Sequence, residues 1–220
     1  MNKLIALAFL LSFFACNQTS QKEAAPNSDS LSVTTASSKR DSINVSDSAA
    51  GATVVQNRLI VPGKSIGLTK IGQLGEETAK QLGKPDEGDA AMGKSLSTWY
   101  SKNNPAYKTQ VFSVLKPGDK EIMPSVKTIR VNNPFFETNT HLKAGSSLKE
   151  ILSQFPALLI VGTYTAANEK TIRLYDDSEG GIGFEIDEQD LCVGVCVHPS
   201  GDKAFMQYLP FENTFKPKEE

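Results

Sequence analysis

Long apolar runs are scarce in this 220-residue chain. After Phe14 none approaches the roughly 20 residues that a membrane-spanning helix needs, so no later segment is expected to cross a bilayer that way. Histidine occurs twice, tryptophan once and cysteine three times. That leaves no Cys/His clusters of the kind that hold structural zinc. No aromatic residue occurs between positions 17 and 57, which excludes a packed core there. An excess of either charge is also missing: 23 Lys and Arg stand against 25 Asp and Glu, for a net charge of −2. With the basic residues scattered, no nucleic-acid footprint or polybasic membrane patch is expected. No glycine-rich phosphate loop and no nucleophile elbow is present, so no cofactor and no catalytic residue is assigned.

What is there begins with Lys3 followed by an apolar stretch, Leu4 to Phe14, interrupted by a single serine. At about half a membrane span it reads as the core of a signal peptide over residues 1–15. It ends in Phe13-Phe14-Ala15-Cys16, which resembles a bacterial lipobox, with Phe13 standing where that pattern usually has a smaller aliphatic residue. The resemblance implies lipidation of Cys16 and a membrane anchor, since more than one acyl chain holds a protein stably on a bilayer. Asp after the cysteine would resemble an inner-membrane retention signal of diderm bacteria; with Asn17 there, the resemblance implies the outer membrane, on its periplasmic or cell-surface side. Residues 16–57, rich in Ser, Thr and Ala, are expected to form a disordered tether. About 40 flexible residues give it a reach on the order of 35 Å.

From Arg58 the chain gains aromatics and alternation. Leu59-Ile60-Val61 suggests an entry strand. Ile71, Leu74, Thr78 or Ala79, and Leu82 recur at helical spacing, and Gly83 with Pro85 ends the helix expected over 72–82. Strands are expected over 96–102, 109–115 and 126–131. A second pass opens with Ser147 and Glu150 at capping-box spacing. Leu148, Ile151, Leu152 and Phe155 form one helical face, and Pro156 stops it. Strands are then expected over 158–164, 171–175, 181–186 and 191–198, with 176–181 as a hairpin turn. Shifting the chain by 73 positions lays Gly72 on Gly145, Glu77 on Glu150 and Leu82 on Phe155. The expectation is an α+β fold: two helix-plus-antiparallel-meander pseudo-repeats, 58–134 and 135–213, in one compact domain with helices on one face of the sheet, then a polar tail at 214–220.

Leu82-Gly83-Lys84-Pro85-Asp86, the following Trp99-Tyr100 strand and the helix ending at Phe155-Pro156 resemble the tandem modules of β-lactamase-inhibitor-protein-like domains. They also resemble the single-module SmpA/OmlA lipoproteins of outer-membrane assembly. The resemblance implies a binding or scaffolding protein with an envelope protein as partner. No functional residue of those families carries over to a numbered position here. Two alternatives stand beside it: an inhibitor of an extracytoplasmic enzyme, or an enzyme with an unrecognised active site.

Candidate chemistry is sparse. Cys192 and Cys196 in an extended strand would share a face about 13 Å apart, beyond disulfide reach. Buried thiols, a disulfide made possible by a bend at Gly194, and redox or metal use all stay open. His198 falls on the face of Cys196 and Cys192, which raises a zinc reading, but His141 is the one other histidine and no four-donor set emerges. Asp176, Asp177 and Glu179 lack the spacing of a calcium loop and read as a turn. Trp99 and Tyr100, being adjacent in a strand, must face opposite ways. One of them is therefore expected to be exposed as a binding anchor.

Overall fold

The computed structural model describes residues 56–115, 123–207 and 211–219. The signal peptide expected over 1–15, the lipidation expected at Cys16 and the expected tether up to residue 55 lie outside the described residues. In chain order the elements are β1 (Leu59–Val61), β2 (Ser65–Ile66), β3 (Thr69–Lys70), α1 (Gly75–Leu82), β4 (Glu87–Ala91), β5 (Lys94–Ser101), β6 (Asn104–Val114) and β7 (Ser125–Val131). Then come β8 (Glu137–Thr138), α2 (Leu148–Gln154), β9 (Leu159–Thr165), β10 (Thr171–Asp177), β11 (Ile182–Ile186), β12 (Cys192–Val197), a 3₁₀ turn (Ala204–Gln207) and β13 (Lys216–Pro217).

Nine strands form one sheet in the order β13-β9-β10-β11-β12-β7-β6-β5-β4, each pair antiparallel. A four-stranded sheet, β3-β2-β1-β8, accompanies it, with β1 and β8 parallel. The central strands of the large sheet carry buried residues on both faces. One carries Val111, Ile129, Val131, Ile182, Phe184 and Val195, packed with Ile60 and Ile66 of the small sheet and Ile151 of α2. The other carries Phe112, Ile172 and Leu174 under Ala204, Phe211 and Phe215 of the C-terminal segment. That segment, read from sequence as a polar tail from 214, pairs Lys216 with Thr163 of β9. Gly162 makes the approach possible, because a Cβ there would collide with the Phe215 ring.

The expected α+β class, with two helix-plus-meander pseudo-repeats and a helical layer on one face, is overturned. Strand takes 46% of the described residues and helix 12%. The helices have eight and seven residues and bury one residue each, Thr78 and Ile151. The physical reason lies in the helical stripe, which runs out after two turns. Leu74 is already extended, at ψ 148°, and bridges to Ser125, so α1 starts three residues later than its periodicity suggests. The capping box at Ser147 and Glu150 is formed. Two helices of two turns each cannot cover nine strands, and the small sheet and C-terminal segment do most of that work.

Candidate functional site

The Trp99–Tyr100 strand is held at the margin of the large sheet by the residues that precede it. Gly83, at φ 82°, ends α1, and its carbonyl accepts the indole N–H of Trp99 at 3.0 Å. The ring packs against the first core. The Asp86 backbone N–H donates to the Thr98 carbonyl at 2.9 Å, and the Asp86 carboxylate accepts the backbone N–H of Tyr100 at 2.8 Å. The Leu-Gly-Lys-Pro-Asp stretch is thus the clamp that sets both aromatics. Tyr100 points to the opposite face and is 37% exposed. A hydrogen bond to Glu87 holds its phenol above the usual pKa range. Across the ladder stands Lys108, whose ammonium is held below its usual range by burial and by the like charge of Arg130.

From Lys108 the same face leads into a cleft of about 310 Å³ lined by Arg130, Tyr164, Lys170, Ile172, Glu185 and Glu212, among others. Arg130 and Glu185 are buried on the sheet, 6% and 1% exposed at their side chains. The guanidinium grips Glu185 with two N–H groups, one of them 3.0 Å from Oε2. It also donates to Gln110 Oε1 at 2.9 Å and the Tyr164 hydroxyl at 3.1 Å, and it pairs with Glu212 at 2.7 Å. Tyr164 in turn donates to Glu185 at 3.0 Å. Burial, with the carboxylate of Glu185 beside it, pushes the Tyr164 phenol far above its ordinary range. Gly194 leaves the space that the Glu185 carboxylate fills, since a Cβ at that position would collide with Oε2. The guanidinium donors are engaged within the protein, so the cluster works as a clasp tying β6, β7, β9 and β11 to the C-terminal segment.

Sequence reasoning missed this cluster. Its signal was present: Arg130 in Val-Lys-Thr-Ile-Arg-Val and Glu185 in Ile-Gly-Phe-Glu-Ile are opposite charges at core positions of two apolar strands. A lone buried charge requires a partner.

The cysteines depart from the shared face that an extended strand would give them. A register shift at Glu185/Ile186 pairs Glu185 with Gly194 and Ile186 with Cys192. The extra residue turns Cys192 to the first core and leaves Cys196 in the second. Cys192 is a buried free thiol whose pKa burial pushes far up. His198 is fully buried, with Nε2 2.8 Å from Asp176 Oδ1 and Nδ1 3.1 Å from the Pro199 carbonyl. Asp176 also accepts the Ala204 N–H at 3.1 Å, so the pair anchors the 3₁₀ turn. Asp177 accepts the Gly180 N–H at 2.9 Å and shapes the hairpin turn. His141 is 80% exposed at its side chain, 3.5 Å from Glu137. Among the described residues no group of three or more His, Cys, Asp or Glu is placed to hold a metal ion.

No family model matches the sequence, and no curated protein does. Among solved structures the chain is similar to a DUF4309 family protein (YjgB) from Bacillus subtilis subsp. subtilis str. 168. The two share 10% identity over 63% of this chain and 88% of that one, with a TM-score of 0.40.

Proposed function

We propose that this chain is a lipid-anchored envelope protein, tethered through Cys16, that captures a partner protein at the sheet margin centred on Tyr100. The observation that carries the reading is the division of labour between two neighbours. Trp99 is pinned inward by its bond to the Gly83 carbonyl, and this holds Tyr100 outward on a rigid strand. An aromatic presented on a fixed backbone loses little freedom on binding, which is the usual character of an interface anchor. The Ser- and Thr-rich segment ahead of the domain would let that surface search the space above a membrane.

The test is crosslinking and recovery from membranes, followed by affinity measurement with the recovered partner. Tyr100→Ala is expected to weaken capture by about 2 kcal/mol, roughly thirtyfold, with the fold intact. Trp99→Ala is expected to lower stability first. A partner enzyme that loses activity on capture would make the protein an inhibitor. Undiminished capture by folded Tyr100→Ala refutes the surface assignment, and turnover of a substrate by the purified protein refutes the binding reading.

A further inference from the structure

β4 is the outermost strand of the large sheet, and all five of its residues are exposed. Among the described residues nothing pairs with its outer edge. Its register with β5 decides which backbone groups face outward. Met92 and Gly93, at φ 52° and 76°, form a two-residue turn between Ala91 and Lys94. Residues flanking such a turn exchange both of their backbone hydrogen bonds. Ala91 with Lys94 is therefore a bonded pair, and so, two steps along, is Asp89 with Leu96. Gly88 and Ala90 fall between them, and their N–H and C=O groups point away from β5. The outward backbone thus belongs to two small residues that leave it open. Edge strands are commonly protected by lysine or proline, and β4 has neither.

The side chains select the occupant. Glu87 stands across from Thr98 and Asp89 across from Leu96, so both carboxylates share the face of Tyr100, two residues beyond Thr98. A second copy pairing antiparallel along this strand in a register centred on Asp89 or Gly88 would set Asp89 against Asp89, or Glu87 against Asp89. Like charges directly opposite each other are destabilising. A strand with basic side chains at alternate positions meets both carboxylates and the outward N–H and C=O groups together.

We infer that β4 is a docking edge for an extended basic segment of the partner protein, which adds to the sheet as a further strand with Lys or Arg opposite Glu87 and Asp89. The inference rests on the partner-capture reading and names the chemistry of the partner. Backbone pairing supplies affinity and the alternating charges supply selectivity, as in other strand-addition complexes.

The test uses the full-length lipidated protein in detergent micelles and three labelled hexapeptides, read by fluorescence anisotropy. One is three Lys-Thr repeats, the second three Glu-Thr repeats, and the third is the Lys-Thr peptide with alternate backbone nitrogens methylated. The first is expected to bind at least about tenfold more tightly than either other peptide. Ala90→Pro removes an outward N–H and leaves the β5 ladder intact. It should weaken the Lys-Thr peptide about tenfold with the unfolding temperature unchanged. Reversing Glu87 and Asp89 to Lys should invert the peptide preference.

Equal binding of the methylated peptide would reduce the effect to diffuse charge and overturn the inference without any protein variant. Self-association of the wild type that Ala90→Pro abolishes would assign the edge to a second copy. Peptide binding that appears after removal of residues 17–55 and is absent before would assign it to this chain's own N-terminal segment. Both results overturn it. A native partner lost on Tyr100→Ala but retained by Ala90→Pro overturns the edge and leaves the capture reading standing. Selective peptide binding with no partner recovered from membranes does the reverse.

Discussion

Replacing Arg130 by Met tests the clasp that joins the strands to the C-terminal segment. The substitution keeps an apolar stem against Phe211, whose ring centroid lies 5.8 Å from the guanidinium, and removes the charge. Glu185, 1% exposed at its side chain, keeps the Tyr164 hydroxyl but loses a two-pronged counter-ion. Gln110 and Glu212 each lose a donor as well. Breaking a buried pair from one side costs about 3–5 kcal/mol, and the upper half of that range is expected because the guanidinium also serves Gln110, Tyr164 and Glu212. Removing both charges with Arg130→Met and Glu185→Leu should recover a large part of the loss, since a well-packed apolar pair replaces a buried ion pair at little cost. Urea unfolding of the two variants and the wild type, followed by tryptophan fluorescence, reads the difference. A single variant that loses less than about 1 kcal/mol, or a double variant no more stable than the single, refutes this account of the second face.

The remaining predictions concern ionisation, thiols and anchoring. The Tyr164 phenol is raised in the folded state, so its contribution is fully present below the unfolded tyrosine pKa near 10 and is lost as pH rises beyond it. Stability should fall there by up to about 1.4 kcal/mol per pH unit from this group, and Tyr164→Phe should remove that part of the slope. Cys192 and Cys196, 2% and 0% exposed, should both resist a thiol reagent in the folded protein and react on unfolding; fast reaction of either contradicts the placement of β12. Cys16→Ala should abolish lipid labelling and release the chain from the membrane fraction, and unchanged retention would refute the lipid anchor.

Most of the central strands were legible because their residues alternate or run apolar between turn residues. Expected strands at 126–131 and 171–175 are observed at Ser125–Val131 and Thr171–Asp177. β4 was not legible, since Glu-Gly-Asp-Ala-Ala has low strand propensity and is ordered by its hairpin with β5. The two-residue strands β2, β3, β8 and β13 are too short to carry a period. Bulges defeated the facing of side chains. Sequence alternation sets Val126 with Thr128 and Arg130, but a register shift beside Phe112/Ser113 moves Val126 to the face of Ile129 and Val131. The shift in β12 separates the cysteines in the same manner. A one-residue slip exchanges the faces of everything beyond it, and that slip is set by tertiary packing. At Gly194 register matters for the clasp as well: the regular pairing that runs from Ile182 and Val197 sets a position without a side chain opposite Glu185. The carboxylate occupies the vacated space and meets Arg130 from the far side of β12. The charges could be read from the sequence, and their meeting across an intervening strand follows from the strand order β11-β12-β7, which is set by tertiary packing.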